Sequence, residues 1–132
     1  MNDPLFVDTS AWFALVNRGD PDHAVARETI ESLHGRLVTS NFVFDETVTL
    51  CLYRLGHPTA VRVGTTLADP VAVDLLRITP EDEKAAWKLF SARADRYSFT
   101  DCTSFVMMKR LGLRRVAAFD DDFRREGFET LP

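Results

Sequence analysis

Asp8, Glu46, Asp101 and Asp120 are far apart in the sequence, yet each lies just past an apolar run or near the opening of a helical stretch. Carboxylates gathered together repel one another, and one takes up a proton unless a cation sits between them. Other metal-ligating residue types offer little competition. Cys51 and Cys102 are isolated, with no Cys-x-x-Cys pair, and read as buried small apolar side chains. His23, His34 and His57 are scattered, which argues against a zinc site and against a Ser-His-Asp triad. An all-oxygen donor set selects Mg²⁺ or Mn²⁺. Such a site polarises a phosphoryl oxygen, generates a hydroxide nucleophile and stabilises the leaving oxygen of an in-line displacement. The chemistry expected is metal-assisted phosphodiester hydrolysis.

Each acid also has a plain structural reading. Asp8 suits the cap of a first helix, and Ser98 with Asp101 fits the Ser-x-x-Asp capping box. Asp120, Asp121 and Asp122 are consecutive and suit a solvated turn. Glu46 is harder to explain that way, because a helical wheel places it near Phe42, Leu50 and Tyr53. A carboxylate on an apolar flank must be paired, protonated or metal-bound. Asp101 shares a helix face with Phe105 and Met108.

The elements that position these residues alternate. Leu5 to Val7 reads as a strand, followed by a helix through Val16 and a surface helix from Asp22 to Leu33. Leu37-Val38 is a short strand running into the capping cluster Thr39-Ser40-Asn41, and a strongly apolar helix covers about Phe42 to Leu55. A weaker helix reaches Leu67, and Val71 to Ile78 is strand-like. Thr79-Pro80-Glu81-Asp82 starts a helix that runs to about Arg93. Another helix opens at Ser98 and ends near Gly112. Val116 to Phe119 is a strand, Asp120 to Arg125 a turn or short helix, and Phe128 to Leu131 an edge strand. The pattern predicts an α/β fold, a three-layer sandwich around a mostly parallel sheet. Ligands of open parallel sheets bind beyond the carboxyl ends of the strands, so all four acids are expected on one rim.

The 132 residues predict one domain covering 1–132, since domains usually run to about 100–200 residues. With 45% hydrophobic and 27% charged residues, disorder, collagen and coiled coil are poor readings. The longest apolar stretch, Ala11 to Val16, falls far short of the ~20 residues that span a membrane. The Met-Asn-Asp-Pro start is acidic, unlike a secretory signal, so a cytoplasmic protein is expected. A net charge of −4 excludes a generally cationic nucleic-acid binder. The cations are nevertheless uneven: Lys109, Arg110, Arg114 and Arg115 lie together without an acid. They suit either a solvated helix end or a phosphate-contacting patch.

Four segments carry a family resemblance: Phe6 to Trp12, Thr39 to Thr47, Ser98 to Cys102 and Phe119 to Phe128. In order and separation they resemble PIN-domain ribonucleases, in particular VapC-type toxins of toxin–antitoxin pairs, over nearly the whole chain. The resemblance implies that Asp8, Glu46, Asp101 and Asp120 form an acidic metal cup for Mg²⁺ or Mn²⁺. Asp122 is the reserve choice for the fourth acid. It implies endonucleolytic RNA cleavage leaving a 5′-phosphate and a 3′-hydroxyl. Thr9 or Thr100 would supply a hydroxyl to hold water or phosphate, and Arg114 and Arg115 would grip the RNA. A homodimer and a small VapB-like antitoxin partner are also implied.

The rival readings are a PIN-fold scaffold without catalysis and a phosphoaspartate protein. A complete set of four acids speaks against the first. Ser10 stands where a phosphatase of the second class wants another Asp, and Asp74 lies inside its strand, where a receiver domain wants a phosphoacceptor at the strand's end.

Overall fold

A computed structural model of the chain describes residues 3–92 and 96–132. The elements are β1 (Leu5–Val7), α1 (Thr9–Val16), α2 (His23–Glu31), β2 (Leu37–Ser40), α3 (Asn41–Leu55) and α4 (His57–Leu67), then β3 (Val73–Leu76), α5 (Pro80–Ala92), α6 (Phe99–Leu111), β4 (Arg115–Ala117), α7 (Asp122–Arg125) and β5 (Glu129–Leu131). All strand pairs are parallel, in the order β3-β2-β1-β4-β5. The α/β sandwich with a parallel sheet is therefore as the sequence predicts.

Leu5, Phe6 and Val7 are fully buried, as a central parallel strand covered on both faces requires. From β1 the chain moves outward to β2 and β3, then crosses back to build β4 and β5 on the other side of β1. Right-handed crossovers put α1–α4 on one face and α5–α7 on the other. The contacts agree: α3 packs on α1 and α4, α5 packs on α6, and Phe105 of α6 meets Phe123 of α7 with ring centroids 4.9 Å apart. The winding reverses between β1 and β4, and a doubly wound sheet opens a crevice at such a point. Among the described residues no helix is long and apolar enough to cross a membrane.

Strand bounds differ from the sequence expectation in places, and β2 runs Leu37–Ser40 rather than ending at Val38. The segment expected as a strand from Val71 to Ile78 contributes only Val73–Leu76. Val71 is 83% exposed, its amide donates to Asp69 Oδ1, and Arg36 binds the carbonyls of Pro70 and Val71, so the run begins as a turn. At the other end, the Ile78 amide donates to Asn41 Oδ1 instead of a strand. β4 stops at Ala117, earlier than the expected Phe119, although the Ala118 amide still reaches the Leu131 carbonyl. Asp120 therefore sits in a loop rather than directly after the strand. The expected end of the fifth helix at Arg93 lies outside the described residues; α5 is described to Ala92.

Helix ends follow local chemistry. The Ser40 hydroxyl accepts from the Val43 amide and starts α3 ahead of Glu46. Gly112 adopts φ +70° to end α6, and the Leu113 amide closes back on the Met108 carbonyl, turning the chain into β4. At the start of α5, the Thr79 hydroxyl accepts from the Asp82 amide while Asp82 accepts from the Thr79 amide. Arg110, in the last turn of α6, donates two hydrogen bonds to the same Asp82 at 2.8 and 2.7 Å, so α5 and α6 pack antiparallel.

Candidate active site

Asp8 is the buried centre of the site. Its backbone is extended at φ −83° and ψ 164°, and its side chain makes no capping hydrogen bond to α1. The simple capping reading of Asp8 is thereby removed. Its amide donates to the Ala117 carbonyl, which fixes it beside the end of β4. Oδ2 accepts from the Ser10 hydroxyl at 3.1 Å, whereas Oδ1 is buried with no hydrogen-bond partner among the described residues. Burial pushes the carboxyl up to about 8, helped by the charges of Asp101, Asp120 and Glu46 and opposed by the Thr9 amide. An orphaned carboxylate oxygen under the charge of three other acids is a strong draw for a cation.

Asp101 reaches the same place from the first turn of α6. The capping box expected from Ser98 is present: Ser98 Oγ accepts from the Asp101 amide at 3.0 Å, and Asp101 Oδ2 accepts from the Ser98 amide at 3.3 Å. Capping and site membership coexist, because the box uses one carboxylate oxygen only. Burial pushes Asp101 up to about 6 against these hydrogen bonds, with Asp120 and Glu46 adding to the rise.

Of the three consecutive aspartates, Asp120 is the one whose charge acts on Asp8 and Asp101. Asp121 pairs with Arg124 at 2.8 Å and Asp122 with Arg125 at 2.7 Å, both turned to cations on their own short helix. Asp120 Oδ1 accepts from the Asp122 amide at 3.1 Å. Its carboxyl is raised by partial burial, partly offset by that amide. Glu46, half-buried on α3, is also within electrostatic reach of Asp8 and Asp101. Its flank is less apolar than the helical wheel suggests, since Tyr53 is 80% exposed.

All four expected acids thus meet at the carboxyl edge of the sheet, where the winding reverses. Among the described residues no three carboxylate, imidazole or thiolate groups converge tightly enough to form a ready-made cage. An open rim of this kind suits Mg²⁺ or Mn²⁺ in particular, because such ions keep several waters and use one or two carboxylates. The donor set fits.

The other expected residues are placed differently. Thr9 is buried, and its hydroxyl accepts from Thr47 at 3.4 Å. Thr100 is half-buried, with no side-chain hydrogen bond among the described residues, one position before Asp101. Arg114 and Arg115 do not reach the rim. Arg115 opens β4 in register with Leu5, the first residue of β1, so it lies at the amino edge of the sheet. Its guanidinium binds the Asp3 carbonyl. The two edges are separated by a three-residue strand, roughly 10 Å at the usual rise. Two residues near the acids were not anticipated. Ser10 bonds Asp8, and Arg125 lies close enough to Asp120 to lower its pKa partially.

A cavity of about 760 Å³ lies away from the acids, between α1, α2 and α4, with Trp12, Arg18, Arg62 and Leu67 among its lining. It is mixed in character and holds no cluster of carboxylates.

Comparison with known proteins gives a consistent picture. The family profile described as the PIN domain matches residues 5–129. The 23S rRNA-specific endonuclease VapC20 of Mycobacterium tuberculosis is 40% identical over 125 residues, covering 94% of this chain and 95% of that protein. The VapC ribonuclease of Archaeoglobus fulgidus is 27% identical, over 89% of this chain and 77% of its own length. The crystal structure of M. tuberculosis VapC20, described as a sarcin-ricin loop cleaving toxin, superposes with a TM-score of 0.90 at 38% identity, covering 97% of this chain and 99% of that one. The structure of VapBC-1 from nontypeable Haemophilus influenzae shares the fold, with a TM-score of 0.67 at 13% identity.

Proposed function

The chain belongs to the PIN domain family, and from that premise we propose that its acidic rim is the hydrolytic centre of a divalent-metal-dependent VapC-type endoribonuclease. The observation that carries the assignment to this rim is the buried, unpartnered Asp8 Oδ1 under the charge of three further acids.

Asp8 and Asp101 would hold the principal ion, and Asp120 would complete a second, weaker position. An ion bound there supplies Lewis-acid polarisation of the phosphate and offsets the charge building on the leaving oxygen. Glu46, on the opposing helix α3, orients the attacking water and accepts its proton. The water oxygen bonds to phosphorus as the P–O3′ bond breaks. The products are a 5′-phosphate and a 3′-oxygen that takes up a proton to become the hydroxyl. Thr100 is the better placed of the two threonines to hold a phosphate oxygen, since Thr9 is buried and Thr100 only half-buried. Arg114 and Arg115, at the far edge, serve RNA phosphates distant from the scissile one.

Structured ribosomal RNA is the first substrate to test, because the relative at 40% identity is named for 23S rRNA. This substrate class also places its action in the cytoplasm. The partners are a VapB-like antitoxin and a second copy of the chain. Support for self-association comes from Trp87, 61% exposed, which stacks on Phe90 at 5.6 Å and joins Phe99 and Phe42 in one aromatic face. An exposed indole on an aromatic cluster is a common feature of protein–protein contact surfaces.

The deciding experiment is cleavage of ribosomal RNA by purified protein with Mn²⁺, against EDTA and Asp8→Asn controls. Metal-dependent cutting that disappears in Asp8→Asn is the expected result. Cutting that persists in that variant, or Mn²⁺ binding unaffected by it, overturns the assignment of the centre.

A further inference from the structure

Ser10 stands two residues after Asp8, in the first turn of α1, and is half-buried. A hydroxyl has one proton to give and lone pairs to accept with. Both are used here. The proton goes to Asp8 Oδ2 at 3.1 Å, and the Phe119 backbone N–H donates to Ser10 Oγ at 3.2 Å. The amide can only donate, so Ser10 must accept there, which leaves its own proton for the carboxylate. Asp8 is thereby held by one oxygen, and the other, Oδ1, is the one without a partner.

The same hydroxyl reaches 109 residues along the sequence to pin the loop beyond β4. The residue after Phe119 is Asp120, whose Oδ1 accepts from the Asp122 amide. A chain of hydrogen bonds and covalent links therefore runs from Asp8 through Ser10 and Phe119 to Asp120. No other side chain is hydrogen-bonded both to Asp8 and to that loop among the described residues.

We propose that Ser10 is a positioning residue: it presents Asp8 Oδ1 to the divalent cation and sets where Asp120 stands relative to it. This rests on the reading of the rim as a metal-dependent hydrolytic centre. Ser10 touches no reacting atom itself. Groups that orient a ligand from behind typically change metal affinity by ~10–100-fold when removed.

The test titrates metal-stripped protein with Mn²⁺ and follows the free ion by its paramagnetic resonance signal. Parent protein, Ser10→Ala, Ser10→Thr and Asp8→Asn are compared, with circular dichroism confirming the fold. Ser10→Ala is expected to bind Mn²⁺ about 10–100-fold more weakly, while Ser10→Thr, which keeps donor and acceptor, stays within a few-fold of the parent. Equal affinity in Ser10→Ala and parent overturns the proposal. So does a Ser10→Thr variant as weak as Ser10→Ala. Should Ser10→Ala not fold, Ser10→Cys takes its place, and its weak S–H donor must leave it below Ser10→Thr. The control keeps the two readings apart. Binding that survives Asp8→Asn unchanged removes the metal centre and the proposal with it. Binding lost in Asp8→Asn but intact in Ser10→Ala removes the proposal alone.

Discussion

After burial itself, Asp101 is the strongest influence pushing the Asp8 carboxyl up to about 8. The two residues lie on different elements, at the end of β1 and the start of α6, and neither has an opposing cation among the described residues. In the metal-free fold their repulsion opposes ionisation of Asp8.

A pH dependence of stability follows. Folded Asp8 keeps its proton up to about 8, whereas the unfolded chain loses it near 3.8. Asp101 behaves alike up to about 6. Between those limits the folded state binds more protons, so raising the pH weakens folding. In EDTA, the melting temperature contributed by these groups should fall from about pH 4 to pH 8. Mn²⁺ takes the place of the protons, so its stabilising effect should grow across the same window. Thermal melts at pH 5.5 and pH 8, with and without Mn²⁺, check the sign.

Asp8→Asn removes the repulsion together with the ligand. Metal-free protein should melt several degrees higher at pH 8 than the parent, while RNA cleavage falls by ~100-fold or more, about 2.7 kcal/mol of transition-state stabilisation. A destabilised variant would show that Asp8 contributes structure rather than stored repulsion.

The three aspartates of the β4–α7 loop should separate by function. Asp120→Asn is expected to lower cleavage by about tenfold or more, as removal of a metal-site carboxylate does. Asp122→Asn loses a pair with Arg125 that is largely at the surface, and should cleave within a few-fold of the parent. Single-turnover rates on one RNA distinguish them.

Arg114, exposed at the amino edge, is expected to act on affinity alone. Arg114→Ala should make the salt dependence of RNA binding shallower by about one unit of slope, and leave the single-turnover cleavage rate unchanged. A fall in that rate would place Arg114 at the scissile phosphate after all.

Phe105 is fully buried between Tyr97, Phe123 and Phe128, with centroids 4.9, 4.9 and 6.1 Å away. It lies one turn after Asp101 and seats α6 against α7. Phe105→Ala should cost about 3–5 kcal/mol in denaturant unfolding.

Much of this was legible in the sequence, and the failures have identifiable causes. Asp8 and Glu46 share an edge because each follows a strand through a short connection, and a parallel sheet sends every such junction to one edge. The Val71 segment looks like strand in the sequence because apolar content says nothing of the Arg36 and Asp69 side chains that turn it. Arg114 and Arg115 carried their own warning: they precede Val116, and residues entering a parallel strand face the edge opposite the acids. Ser10 carried no such signal, since its partner Phe119 is brought near only by the finished sheet.

The position of β1 at the centre of the sheet also governs when the rim can exist. Its neighbour β4 begins at Arg115, late in the 132-residue chain. While a chain is being synthesised, or if synthesis stops short, three of the acids are already present but the wall of the crevice is not. Such a chain holds Asp8 beside an open edge, with neither Ala117 nor Phe119 to fix it. Long-range closure of this kind forms late in folding. Until β4 and the loop after it dock, the rim therefore lacks the wall that fixes Asp8.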